Sequence, residues 1–191
     1  MVLYKYRSLQ TFEHFVDILV NQCLYAAPFL SLSDPMEGRY VRLGSKSRTA
    51  MRRLRSDDDL RIVSLSSVWN STLMWSHYAD GHKGAVIAVE LDQPNIEAMP
   101  VRYVSRLSGP RTADPIERIR ALLLQKHEFW RYEKEYRIIV KNKDYVRVNI
   151  VEITLGLAVE ANMHDLVIDL ARTVDPSLPV TRILKSGLDV I

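Results

Sequence analysis

The run Ala85 to Leu91, A-V-I-A-V-E-L, most limits what this chain can fold into. A nearly unbroken apolar run of that length, opened by glycine, predicts a strand buried in a core. It follows directly on W-N-S-T-L-M-W-S-H-Y-A-D-G-H-K-G at 69–84, with Gly81 and Gly84 at the join. Trp75, His77, Tyr78, Asp80, His82 and Lys83 crowd within nine residues there. Aromatic, imidazole and charged groups delivered to the mouth of a core strand predict one wall of a cleft, with His77 or Tyr78 near the carboxylates discussed below.

The rest of the chain supplies partners for that strand. Val2 to Arg7 and Arg61 to Val68 read as strands, and Leu24 to Leu30 as another, interrupted by Pro28. Pro100 to Ser105, Tyr136 to Val140, Tyr145 to Ile153 and Val180 to Leu184 complete the set. Lys141-Asn142-Lys143-Asp144 is expected to turn 136–140 and 145–153 into a hairpin. Helical spacing recurs at Phe12, Phe15, Val16 and Leu19, with Ser8 or Thr11 as cap. It recurs from Ile116 through Leu123 and Lys126 toward Trp130, behind Asp114 and Pro115, and again over Leu166–Val174. Seven or eight strands and three or four helices without βαβ alternation predict one α+β domain over 1–191, its sheet mixed and mostly antiparallel.

Bulk properties narrow the setting. The 191 residues suffice for a full core without staples, and 47 % hydrophobic with 26 % charged residues is ordinary for a soluble domain. A single cysteine, Cys23, rules out an internal disulfide and fits a reducing, cytoplasmic compartment. No run approaches the roughly 20 apolar residues of a membrane span, and no membrane partner is expected. Net charge is +3, which permits nucleic acid without requiring it. The basic segment Arg39 to Arg55, followed by Asp57-Asp58-Asp59, reads either as a solvated helix or loop or as a phosphate-contacting arm.

Several chemistries are poorly supported. His77 and His82 are five apart, not i, i+4, and no cysteine pair or third histidine lies near, so no metal is expected. Cys23 reads as a small core residue, and no G-x-S-x-G elbow, phosphate loop or dinucleotide fingerprint occurs. The informative carboxylates lie in W-R-Y-E-K-E-Y-R at 130–137. On a strand, Arg131, Glu133, Glu135 and Arg137 would share a face. They form either an exposed salt-bridge ladder or a carboxylate pair held for catalysis. Arg7, ending the first strand, and Asp34 or Glu37 in S-D-P-M-E stand as further candidates.

Four motifs in order, L-Y-K-Y-R at 3–7, S-D-P-M-E at 33–37, M-W-S-H-Y-A-D-G-H-K-G at 74–84 and W-R-Y-E-K-E-Y-R at 130–137, together resemble a large bacterial family known as domain of unknown function, family 2971. The resemblance spans most of the chain and supplies no reaction; Ser33 stands where that family more often has Asn. A second resemblance is to the mono-ADP-ribosyltransferase fold, through Arg7, the Ser64–Ser67 strand and Glu133-Lys134-Glu135 in that order. It implies NAD as substrate, with no metal. Arg7, Tyr6, Ser66, Trp75, Tyr78 and Arg137 would bind NAD, and Glu135, Glu133 and His77 would act on it. Glu135 would stabilise the ribosyl cation and Glu133 would orient or deprotonate the acceptor. It also implies a toxin or anti-phage effector acting on nucleic acid or protein, with an antitoxin as partner. Two alternatives stand beside it. One is a metal-independent nuclease, with His77 and Glu135 as acid and base and Arg7, Lys83 and Arg137 on the phosphate. The other is a non-catalytic nucleic-acid or ligand-binding module.

Overall fold

The computed structural model describes residues 1–32, 60–107 and 114–183. The loop at 33–37 and the basic segment 39–55 lie outside those residues. Strand β1 (Leu3–Arg7) leads into helix α1 (Phe12–Asn21), then β2 (Cys23–Tyr25), β3 (Ala27–Pro28) and a 3₁₀ turn at Phe29–Ser31. After β4 (Leu60–Ser66) come helix α2 (Thr72–Tyr78) and strands β5 (Ala85–Leu91), β6 (Ala98–Pro100) and β7 (Arg102–Val104). Helix α3 (Pro115–Leu123), β8 (Gln125–His127) and a second 3₁₀ segment, Glu128–Glu133, precede β9 (Glu135–Lys141) and β10 (Tyr145–Leu155). Helix α4 (Ala161–Val174) and β11 (Val180–Arg182) close the described chain.

The fold is α+β, with a large, mostly antiparallel sheet in the order β11-β10-β5-β1-β4-β9-β6 and a small β7-β8 sheet. The β5 strand lies inside it, and Ala85 through Val89 are buried. Its neighbour β1 pairs with it along its whole length, from Leu3 opposite Val89 to Arg7 opposite Ala85. The other edge of β1 meets β4 at one bridge only, Tyr4 opposite Ser66. Beyond that bridge the two strands part. The sheet is therefore two half-sheets, β11-β10-β5-β1 and β4-β9-β6, hinged at a single pair.

Register shows how the halves lie. β9 begins at Glu135 opposite Ser66, near the hinge, and ends at Lys141 opposite Leu60, far from it. β10 begins beyond Leu91, at the opposite end of the sheet. Four chain steps from Lys141 to Tyr145 span at most about 14 Å. In a flat sheet the four intervening strand spacings alone would need about 19 Å. The half-sheets must therefore cross, so that the end of β9 lies over the start of β10. Consecutive strands β2 and β3 close this corner: β2 pairs with β10 and β3 with β4. The expected hairpin is thus corrected. β9 and β10 are joined by a short turn but do not pair, because each has other partners across the fold.

Between the crossed halves lies the main core, built from Leu3, Val63, Leu65, Ile87, Val89, Ile138, Val140, Val146 and Val148. Helix α1 adds Phe15, Ile18 and Leu19, and α4 adds Val167 and Ala171, each at helical spacing. A second cluster packs α2 against the other face of β1, through Tyr6, Met74, Trp75, Ala79 and Val86.

Three further expectations are corrected. The 24–30 strand is two short strands and a 3₁₀ turn, since Pro28 offers no N–H to continue a ladder. The 100–105 strand is split between two sheets, ending one at Pro100 and starting the other at Arg102. The helical stripe toward Trp130 stops at Leu123, and Lys126 lies on a strand.

Candidate functional site

A cavity of about 340 Å³ opens where β1 and β4 part. Tyr4, Lys5, Tyr6 and Arg7 line one side and Ile62, Ser64, Leu65 and Ser66 the other. Tyr78, Lys126, Glu133, Glu135 and Arg137 complete its polar wall. The missing β1–β4 ladder leaves Ser64 without a backbone donor from β1, and the Lys5 ammonium bonds its carbonyl at 3.0 Å. Burial, reinforced by Arg7 and opposed by Glu135, lowers the Lys5 pKa to about 8.

Arg7 shares the register of Leu3 and Lys5 and also lines the cavity. Its Nε is buried and has no hydrogen-bond partner. Desolvation lowers its pKa. A buried guanidinium nitrogen without an acceptor carries an uncompensated desolvation penalty, which an anion entering the cavity would relieve.

The carboxylates are carried by an unusual backbone. Glu133 ends the second 3₁₀ segment, Lys134 takes the left-handed conformation at φ 43°, and Glu135 opens β9. The left-handed residue, not strand alternation, turns both carboxyls into the cavity. Arg131 is left outside, exposed, with its guanidinium 5.9 Å from the Tyr103 ring. Ser66 fixes the turn: its hydroxyl donates to the Glu133 carbonyl at 2.7 Å and accepts from the Val68 N–H at 3.1 Å.

Glu133 and Glu135 are 3 % and 5 % exposed, which excludes the exposed-ladder alternative. Arg137 grips Glu135 through Nε at 2.8 Å and Nη2 at 3.0 Å, while its Nη1 donates to the Leu123 carbonyl at 2.7 Å. The Lys126 ammonium bridges both acids, 2.5 Å from Glu133 and 3.2 Å from Glu135, and lies 4.9 Å from the Trp130 ring. The Tyr78 hydroxyl donates to Glu133 at 2.5 Å. Burial pushes the Glu135 carboxyl upward, but Arg137, then Lys126, and hydrogen bonds from Arg137 and Ser64 outweigh it and hold it at about 2. For Glu133 burial wins: desolvation raises its pKa and Glu135 adds to the rise, against Lys126 and Tyr78. Two neighbouring acids pushed in opposite directions are fitted to different roles. Among the described residues that line it, four cations, Lys5, Arg7, Lys126 and Arg137, face two carboxylates, a balance that favours an anion.

The expected residues divide accordingly. Arg7, Tyr6, Ser66, Tyr78, Glu133, Glu135 and Arg137 all line one cavity. The Tyr6 hydroxyl is engaged by the Val68 carbonyl at 2.9 Å, and Ser66 is engaged by backbone, so both hold the wall in place. Trp75 is not at the cavity. It is 1 % exposed, donates to the Trp69 carbonyl at 2.8 Å and stacks on His82 in the α2 cluster. His77 is exposed at the end of α2, its ring 6.0 Å from Tyr132, and does not line the cavity. Its neighbour Tyr78 makes the contact with the acids instead.

Lys5, Lys126 and Tyr103 were missed. Tyr103 accepts the Glu135 N–H at 2.7 Å. Lys5 carried a signal, since it alternates with Leu3 toward the core. Lys126 carried none, because its approach depends on β8 pairing with β7. Among the described residues no group of three or more His, Cys, Asp or Glu is assembled for a metal, and no helix is long and apolar enough to cross a membrane. No family model matches the chain, and no curated protein or solved structure is significantly similar to it.

Proposed function

We propose that the protein is an NAD-dependent ADP-ribosyltransferase-like enzyme. The observation that carries this reading is the meeting of Arg7, with its unpartnered buried Nε, and the oppositely tuned Glu133 and Glu135 in one cavity at a split between strands. In the proposed step the bond from ribose C1′ to nicotinamide breaks and its electron pair leaves with nicotinamide, neutralising the pyridinium. An acceptor nucleophile bonds to C1′ of the resulting oxocarbenium ion, and its proton passes to Glu133, whose raised pKa suits a general base. Arg7 and Lys5 hold the pyrophosphate. Glu135, locked by Arg137 and Lys126, is a positioning residue that keeps Lys126 beside Glu133. The setting we propose is a toxin or anti-phage effector restrained by an antitoxin.

A second reading is favoured by one observation. Every oxygen of Glu133 and Glu135 already accepts a hydrogen bond, as expected of an anion-binding module without turnover. A nuclease acting through His77 is less well supported, because that ring is outside the cavity.

Calorimetry with NAD and a nicotinamide-release assay discriminate. Arg7→Ala is expected to weaken NAD binding by about 10- to 100-fold, the loss of a charge-assisted contact. Glu133→Gln is expected to leave binding in place and slow nicotinamide release by about 10²- to 10⁴-fold. NAD binding without turnover in the parent protein supports the binding module. Undiminished turnover in folded Glu133→Gln overturns the role given to that residue.

A further inference from the structure

Lys5 and Lys126 both line the cavity, and their surroundings differ. Lys126 touches both carboxylates, which hold it as an ammonium. Among the described residues Lys5 makes no ion pair; its Nζ donates to the Ser64 carbonyl at 3.0 Å. An ammonium carries three N–H donors. The Ser64 carbonyl satisfies one and brings no charge, so this site suits the free amine better than the ammonium. Glu135 is the acid that acts on Lys5, but both its oxygens are already taken by Arg137 and Lys126. Arg7, two residues along β1, opposes a second positive charge. Burial first, then Arg7, thus brings the Lys5 pKa to about 8 against the pull of Glu135.

Holding the Ser64 carbonyl across the strand gap uses one donor and leaves the nitrogen lone pair free. A neutral lysine amine is a nucleophile toward carbonyl carbon. In the same cavity Arg7 Nε, buried and without a hydrogen-bond partner, supplies an anion subsite. An amine and a guanidinium together select a molecule with a carbonyl at one end and an acid group at the other. We infer that Lys5 is a covalent-capture site that condenses with small anionic aldehydes, whose carboxylate or phosphate Arg7 holds. The amine nitrogen bonds to the carbonyl carbon. The carbonyl oxygen then leaves as water with the two amine hydrogens, and a Schiff base remains. This condensation needs no NAD, and it gives Lys5 a role beyond the pyrophosphate contact proposed above.

The test is reductive trapping on the full chain at about pH 8, without NAD. Glyoxylate, glycolaldehyde phosphate or neutral glycolaldehyde is added with cyanoborohydride, which reduces a Schiff base to a stable secondary amine. Intact mass and peptide mapping locate the adduct. A single adduct on Lys5 is expected with the anionic aldehydes, forming at least about tenfold faster than on exposed lysines such as Lys83, Lys134 and Lys143. The faster of the two anions shows which acid group the cavity takes. Glycolaldehyde should label Lys5 about tenfold more slowly than they do, for want of the charge-assisted contact, and Arg7→Ala should erase their advantage. Lys5→Arg, which keeps a donor for Ser64, should lose the fast adduct. Mapping reads the site in the parent protein, so the result stands whether or not a variant folds. Absence of an adduct on Lys5, labelling no faster than at exposed lysines, or glycolaldehyde trapped as fast as the anions overturns the inference. None of these outcomes bears on nicotinamide release, so the capture site and the transferase reading fail separately.

Discussion

Arg137 gives the sharpest test of how the site is held. It is 1 % exposed and, among the described residues, donates two hydrogen bonds to Glu135 and one to the Leu123 carbonyl. Among the described residues, Lys126, Arg137, Glu133 and Glu135 form a buried group of two cations and two anions. Arg137→Met keeps much of the volume and leaves two carboxylates sharing one lysine. The fall of the Glu135 pKa from 4.5 to about 2 is equivalent to about 3 kcal/mol of preference for the ionised acid, with Arg137 first among the groups that lower it, ahead of Lys126. Removing one partner of a buried pair costs about 3–5 kcal/mol by an independent route. Against a total stability of about 5–15 kcal/mol, the variant should remain folded but weakened. With a slope near 2 kcal/mol per molar urea, its midpoint should fall by about 1.5–2.5 M. Urea unfolding followed by tryptophan fluorescence reads this directly. The double variant Arg137→Met/Glu135→Met leaves the neutral Lys126–Glu133 pair and should recover most of the loss.

The pH dependence has a fixed sign. Glu135, with its pKa depressed, stabilises the parent above about pH 4.5, and that stability is lost as pH falls toward 2. In Arg137→Met the acid takes up its proton at higher pH, so the gap between variant and parent should shrink on acidification. Glu133, with its pKa raised, works oppositely: its contribution is full below about 4.5 and fades as pH rises through its folded value. A single variant losing less than about 1 kcal/mol, or a double variant as weak as the sum of its singles, would refute this account of the network.

Two other predictions follow from the β1 side. Lys5, with its pKa near 8, should at pH 8 hold a neutral fraction about a hundredfold above that of exposed lysines; trace acetylation with peptide mapping should find it labelled first, and Arg7→Ala, which removes a cause of the lowering, should slow it. A Cβ on Gly84 would fall 2.2 Å from the Arg7 carbonyl oxygen and 2.8 Å from Ala79 Cα, both backbone. Gly84→Ala should therefore displace the end of β1, lower stability by about 1–3 kcal/mol and weaken anion binding, whereas Gly81→Ala, with nothing within 4 Å but φ at +59°, should cost about 1–2 kcal/mol and leave anion binding unchanged.

The sequence by itself determined the elements with strong local signals. The β5 strand is legible because five consecutive apolar residues have no stable place but a core. Helix α1 is legible because its buried residues Phe15, Ile18 and Leu19 recur at helical spacing; α4 is legible as a helix but not in its facing, since Val167 and Ala171 are buried and Leu166 is exposed. The candidate site was half legible: Arg7, Tyr78, Glu133, Glu135 and Arg137 carry charge or hydroxyls beside strands, and charge next to core sequence is conspicuous. Tertiary structure decided the rest. Whether β9 pairs with β10 depends on three intervening strands and a crossed sheet, which no four-residue turn encodes. Trp75 and Ser66 read as ligand groups until packing engaged their N–H and hydroxyl with backbone carbonyls. The positions of Lys5 and Lys126 follow from where β1 leaves β4 and where β8 meets β7. Local pattern sets which side chains face inward; only the long-range register sets which of them meet, and the opposite pKa shifts of Glu133 and Glu135 are consequences of that meeting.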